Sequence, residues 1–133
     1  MNKIIVKLAG NLLPAIHVDG QPVPAERPRV GKYGGVYTPK KTKKYRYAVA
    51  DAAKDIHEPS DSRMGLVAIF DRATNRACDI DNLVKTVQDA LLGLAYYDDE
   101  QIDAVIALRR KGVEDPSMDA YLLNLVTSEL IIQ

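Results

Sequence analysis

The 133-residue chain has a single cysteine and no long hydrophobic run. Because Cys78 has no second thiol to pair with, an intramolecular disulfide and a cysteine-rich zinc module are excluded, and a reducing compartment such as the cytoplasm is favoured. The apolar runs are all shorter than the roughly 20 residues of a membrane helix, so we expect neither a membrane span nor a signal peptide. The length predicts one domain over residues 1–133, which is large enough to fold without a disulfide.

Several common catalytic signatures are also missing. The sequence has no glycine-rich phosphate loop, no dinucleotide fingerprint and no nucleophile elbow. Its two histidines, His17 and His57, lack the spacing of a zinc site. These absences give no support to a P-loop enzyme, a serine hydrolase or a zinc enzyme.

The net charge of zero conceals two oppositely charged segments. Residues 27–46 contain no acidic residue, and tyrosines alternate with their cations, which suits contacts to DNA phosphates, sugars and bases. The basic residues are Arg27, Arg29, Lys32, Lys40, Lys41, Lys43, Lys44 and Arg46. Residues 79–103 have seven acidic residues and one lysine. This pairing is expected where a polyanion is held and one of its phosphates is attacked.

The acidic segment contains a candidate metal site. Asp79 and Asp81 are separated by one residue, so at the end of an extended strand both carboxylates project to one side and can share a hard cation, which suggests Mg²⁺. Lys85 lies midway between Asp81 and Asp89 at four-residue spacing, so on a helix it faces the carboxylates. The triplet Asp98-Asp99-Glu100 is the other acidic element.

Simpler interpretations of these residues remain open. Asp81 or Asn82 could cap the following helix, and capping does not exclude metal binding. Lys85 and Asp89 could form an ordinary surface ion pair, and the acidic triplet could be a solvated turn. An EF-hand is disfavoured because its fifth and sixth positions would be Leu83 and Val84.

Periodicity predicts an α+β fold, with a mixed sheet, two main helices packed on one face and the order β-arm-α-β-α-β-β. The expected elements are one or two strands around Ile4–Leu8 and Ile16–Val18, then an arm over residues 21–39 that forms a loop or extended ribbon, and a helix from a Thr38 cap and Pro39 to about Ile56. A strand at Met64–Phe70 and a helix at Asn82–Leu94 follow, and then antiparallel strands at Asp103–Arg110 and Ala120–Thr127 joined across Gly112–Met118.

Several of these motifs together resemble the RusA family of Holliday-junction resolvases over roughly residues 20–111. The motifs are Arg27-Pro28-Arg29, Tyr37-x-Pro39, Asp79-x-Asp81-Asn82-Leu83-x-Lys85, Asp89-Ala90-Leu91 and Asp98-Asp99-x-Gln101-Ile102. The resemblance implies a homodimeric, Mg²⁺-dependent endodeoxyribonuclease, frequently prophage-borne, that binds four-way DNA junctions and makes paired symmetric nicks in recombination and repair.

By matching positions, the resemblance implies catalytic and metal-binding roles for Asp79, Asp81 and Asp99 and a catalytic role for Lys85. Asp98 is the alternative to Asp99, since the spacing in the family varies by about a residue. Three other classes remain open: a non-catalytic DNA-binding module, a metal-dependent nuclease or phosphatase with another substrate, and a structural interaction protein.

Overall fold

A computed structural model describes the backbone of residues 6–12 and 16–132 and the side chains of residues 16–126. The first part of the strand expected at Ile4–Leu8 therefore lies outside the described residues. Within the described ranges the elements are β1 (Val6–Leu12), β2 (Ile16–Asp19), β3 (Arg29–Val30), β4 (Val36–Tyr37), α1 (Lys40–Ala52), β5 (Met64–Arg72), α2 (Ile80–Leu91), a 3₁₀ turn (Asp99–Gln101), β6 (Ile102–Lys111) and β7 (Ser117–Ile132). The predicted α+β class is confirmed.

The main sheet has the strand order β1-β7-β5-β6, and β2 pairs with a further part of β7. β5 and β6 are parallel, whereas β7 is antiparallel to β5. The two strands expected on either side of residues 112–118 do run antiparallel to each other, but β5 lies between them and they are not neighbours. β5 takes the centre because it is apolar on both faces, and α2 supplies the crossover that a parallel neighbour requires.

The hydrophobic core lies between the sheet and the two helices. Leu66, Ala68 and Phe70 of β5 alternate toward this side, where Leu83 and Val87 of α2 meet them. Full burial of a large apolar side chain stabilises the fold by about 1.5–3 kcal/mol. The opposite side of α2 is therefore left for its polar residues.

Both helices begin and end a few residues from their expected limits. Pro39 stands outside α1 as its N-cap, with ψ of 138°, and no side chain caps that end, so the expected Thr38 cap is wrong. The residue before a proline is itself pushed toward an extended backbone, which places Thr38 outside the helix. α2 ends at Leu91, and Gly93 follows with φ of 81°, as the expected glycine termination requires. In the described part of the chain, neither helix is both long and apolar enough to cross a bilayer.

Gln101 joins the turn before β6 to the segment before β5. Its buried side-chain nitrogen donates to the carbonyls of Ser60 and Ser62 at 2.8 and 2.9 Å, and its oxygen accepts from the backbone of Tyr97 and Asp98 at 2.8 and 2.9 Å. We expect Gln101→Ala to lower the free energy of unfolding by about 2–3 kcal/mol, because an unsatisfied buried polar group costs about 1–3 kcal/mol. Urea unfolding measures this loss.

The control is Gln88→Ala, which removes a similar side chain from α2 and should change stability by less than about 0.5 kcal/mol. Equal urea midpoints for Gln101→Ala and the unmodified protein would contradict a structural role for the Gln101 amide.

Candidate active site

Asp79 is the residue at which the loop after β5 becomes α2. It occupies the N-cap position with an extended backbone, and its carbonyl accepts from the amides of Asn82 and Leu83 at 3.2 and 3.4 Å. Its carboxylate makes no capping hydrogen bond. The suggestion that Asp81 or Asn82 is the cap is therefore wrong. The carboxylate of Asp79 is exposed and does not cap the helix.

Asp81 lies in the first turn of α2, so the two carboxylates are not both on an extended strand end as expected. They nevertheless line the same cleft, and among the described residues Asp81 accepts only the adjacent Asn82 amide, at 3.0 Å. The positive end of the helix dipole lies beside both side chains, where it attracts anionic groups. Two exposed carboxylates thus stand together at one helix end.

Lys85 lies one turn further along the same side of α2. Its ammonium is 2.8 Å from a carboxylate oxygen of Asp89, and Asp89 is also 3.9 Å from Arg46 of α1. The i,i+4 ion pair that the spacing allowed is therefore present. Lys85 also lines the cleft that contains Asp79 and Asp81, so its side chain belongs to both arrangements.

The arm before α1 closes the other side of this cleft. The amide of Ala25 donates to the carbonyl of Asn82 at 2.8 Å, and the hydroxyl of Thr42 donates to the carbonyl of Pro24 at 3.2 Å. These bonds hold the arm across the start of α2. The resulting space, here called the acidic cleft, measures about 670 Å³ and is lined by Pro24, Ala25, Glu26, Arg27, Pro28, Cys78, Asp79, Asp81, Asn82 and Lys85.

The other basic residues of the arm and α1 are distributed over several surfaces. Arg29 pairs with Glu26 at 2.8 Å, Arg46 faces Asp89, and Lys32 lies over the ring of Tyr33. Lys40, Lys43 and Lys44 surround Tyr47 on the exposed side of α1, and Lys41 lines a second cleft beside the acidic cleft. Of the eight predicted DNA-binding residues, only Arg27 lines the acidic cleft itself.

Asp99 is not brought to Asp79 and Asp81 within one chain. Its carboxylate lies 3.2 Å from the hydroxyl of Tyr96, which is 2.9 Å from the carbonyl of Gln88. Burial raises the pKa of Tyr96, and the nearby Asp99 charge raises it further. Gln88 is about 10 Å along the α2 axis from Asp81. No group of three potential metal ligands occurs among the described residues.

The parallel pairing of β5 and β6 explains this separation. Ile102 pairs with Met64, so the turn before β6 lies at the beginning of β5, whereas Asp79 follows the end of β5. The other two members of the acidic triplet, Asp98 and Glu100, also have partners at the beginning of β5 and β6. Asp98 accepts the amide of Glu100 at 2.9 Å, and Glu100 pairs with Arg63 at 2.9 Å. Asp98 is thus a cap of the 3₁₀ turn.

Two arginines near the cleft were missed by the sequence analysis. Arg109 of β6 donates to the carbonyl of Cys78, the residue before Asp79, and so fixes the loop that carries the first carboxylate. Arg72, the last residue of β5, is buried beside the same loop. Arg72 ends β5, and Arg109 lies two residues before the end of β6. The sequence signal for both was a basic residue within or directly after an apolar run.

Comparison with known proteins shows the family of the chain. A comparison with curated proteins gave no match. The family described as endodeoxyribonuclease RusA matches residues 19–118, a range that includes the arm, both helices, the acidic cleft and Asp99. Because this match covers most of the 133 residues, the chain belongs to the RusA family of endodeoxyribonucleases, which are Holliday-junction resolving hydrolases.

Proposed function

We propose that this protein is a Mg²⁺-dependent, cytoplasmic homodimer that resolves Holliday junctions by paired symmetric nicks in DNA recombination and repair. The observation that carries the proposal is the acidic cleft, in which Asp79, Asp81 and Lys85 face Arg27 of the basic arm. Carboxylates at a helix start, a lysine one turn later and an arginine opposite them supply the groups that phosphodiester hydrolysis uses. A prophage origin remains an expectation from the family.

The donor set of Asp79 and Asp81 fits Mg²⁺. This ion is usually held by one or two carboxylates together with substrate phosphates, so two protein ligands in one chain suffice for initial binding. Both side chains are exposed, and neither forms a salt bridge with a described residue. When bound, Mg²⁺ would polarise the phosphate and lower the pKa of an attacking water.

The surrounding residues have separate tasks in this proposal. Arg27 binds the non-bridging oxygens of the phosphate, since guanidinium groups form bidentate hydrogen bonds with phosphates. Lys85 neutralises charge in the transition state or orients the attacking water. Asp89, 2.8 Å from the Lys85 ammonium, directs that group along α2.

A two-fold dimer offers a route by which Asp99 could take part. Among the described strands, β6 pairs only with β5, and its exposed Val105 and Leu108 border the free edge. If two copies of β6 pair antiparallel about a two-fold axis, the beginning of one strand lies beside the end of the other. The end of β6 carries Arg109, which contacts the loop before Asp79. We propose that Asp99 of the partner subunit completes the site there.

Cleavage of a labelled four-way junction and of a linear duplex with the same sequence tests the function. With Mg²⁺ we expect symmetric nicks in two strands of the junction and none in the duplex, and with EDTA no nicks at all. Equal cutting of both substrates would replace the proposal with a general nuclease. Binding of the junction without cleavage would identify a non-catalytic DNA-binding protein.

A further inference from the structure

A second cleft, of about 420 Å³, adjoins the acidic cleft. We call it the arginine cleft. It is lined by Gln21, Pro22, Val23, Pro24, Glu26, Lys41, Arg72, Arg76, Ala77 and Cys78. Pro24, Glu26 and Cys78 line both clefts. A nucleic-acid strand with one phosphate at Asp79 and Asp81 can therefore continue directly into the arginine cleft.

Arg72 is the buried member of the arginine cleft. Arg72 is 7 % exposed. In the described part of the chain its Nε has no hydrogen-bond partner, and its Nη1 donates only to the carbonyl of Arg76, at 3.4 Å. The neighbouring carboxylate of Asp71 is bonded instead to Arg110 at 2.6 and 2.7 Å. Successive strand residues point to opposite faces, so Asp71 is directed away from Arg72.

Burial of a guanidinium with few acceptors is costly. Arginine has five N–H donors and keeps its charge, so a buried Arg72 with one long hydrogen bond loses hydration and gains little in return. Lys41 and Arg76 add further positive charge at this cleft. Its one acidic residue, Glu26, lies 2.8 Å from Arg29 and is already paired. The arginine cleft therefore carries excess positive charge, which favours binding of an anion.

We propose that Arg72, with Arg76 and Lys41, forms a subsite for a DNA backbone phosphate next to the phosphate that is cut. This inference rests on the proposed function, and it adds a second fixed point on the substrate strand. With one phosphate at Asp79 and Asp81 and a neighbour on Arg72, the strand can be held in only one register across the start of α2. Arg72 is a binding residue in this arrangement and does not touch the reacting atoms.

The test combines Arg72→Met with junctions in which single phosphates are replaced by uncharged methylphosphonates. Binding is measured by fluorescence anisotropy in EDTA, so that cleavage does not interfere. We expect Arg72→Met to raise Kd about tenfold or more, since a hydrogen bond to a charged group is lost. The slope of log K against log[salt] should become shallower by about 0.9. A methylphosphonate at one position should lower the affinity of the unmodified protein for the junction and leave the affinity of Arg72→Met unchanged.

Two further variants separate binding from folding. Arg76→Gln alters an exposed side chain of the same cleft and should raise the Kd for the junction. The methylphosphonate position at which this variant differs most from the unmodified protein should be the one found with Arg72→Met. Lys54→Gln removes one positive charge from an exposed residue that lines neither cleft, and should leave the methylphosphonate profile unchanged. Urea unfolding of Arg72→Met should show equal or higher stability, because an apolar replacement removes an unpaired buried charge.

The possible results distinguish this inference from the proposed function. If the unmodified protein binds and cuts the junction and Arg72→Met binds equally well, the subsite is wrong and the function stands. Lower stability of Arg72→Met with an unaltered methylphosphonate profile would make Arg72 a structural residue only. If the unmodified protein neither binds nor cuts the junction, both proposals fail.

Discussion

The Asp81→Asn protein is expected to bind a four-way junction normally and to cut it about a thousandfold more slowly or worse. Metal assistance contributes several kcal/mol to the transition state, and each 1.36 kcal/mol corresponds to about tenfold in rate. Asparagine retains the size of the side chain and removes its charge. Asp81 is exposed, and its one hydrogen bond within the described part of the chain is to the adjacent Asn82 amide, so the fold should be unaffected. Single-turnover cleavage rates and anisotropy measure the two effects separately.

Asp55→Asn provides the matched control, since Asp55 is exposed and lines neither cleft. It should cut and bind like the unmodified protein. Asp79→Asn should behave like Asp81→Asn, and Lys85→Ala should also lose cleavage while retaining binding. Loss of folding and binding together in these variants would instead support purely structural roles for the residues at the start of α2.

Mixing Asp81→Asn protein with Asp99→Asn protein is expected to restore cleavage that neither variant has alone. In a two-fold dimer whose sites each combine Asp79 and Asp81 of one chain with Asp99 of the other, the mixed dimer has one site with both substitutions and one site with neither. Half of the dimers formed by random exchange are mixed. We therefore expect single nicks in one strand, at up to about a quarter of the site activity of the unmodified protein.

Subunits are exchanged by brief unfolding and refolding, and nicks are scored separately for each strand of the junction. Mixing Asp79→Asn with Asp81→Asn is the control, because both substitutions fall in the same chain's half of the site. In a mixed dimer of that pair each site has one damaged carboxylate, and no activity should return. If the Asp81→Asn and Asp99→Asn mixture also stays inactive while exchange is demonstrated, Asp99 does not act from the partner subunit.

The positions of the helices and central strands were readable from periodicity because each has a continuous apolar side. The spacing of Leu83, Val87 and Leu91 predicted α2, and those residues are buried in the core. The expected ends were less accurate. The start of a helix depends on the backbone conformation of one or two residues. Pro39 was expected to be the first residue of α1, but it lies outside the helix as its N-cap.

The structure brings together some of the residues expected at the candidate site. Asp79, Asp81 and Lys85 line one cleft with Arg27, and the i,i+4 relation of Lys85 to Asp89 appears as an ion pair. The arrangement of Asp99 could not be predicted because it depends on which strand lies beside β5. A parallel β6 places Asp99 at the far end of α2, and no local pattern distinguishes a parallel neighbour from an antiparallel one.

The α+β class, the segregation of charge and the short-range spacing of the acidic motif can be read from the amino-acid sequence, since they depend on residues that are neighbours along the chain. The tertiary structure was needed to show that the arm crosses the start of α2, that Arg109 contacts the Cys78 carbonyl, and that the Nε of buried Arg72 has no hydrogen-bond partner among the described residues. These are contacts between segments distant in sequence, and their geometry arises from strand order and packing, which periodicity does not encode.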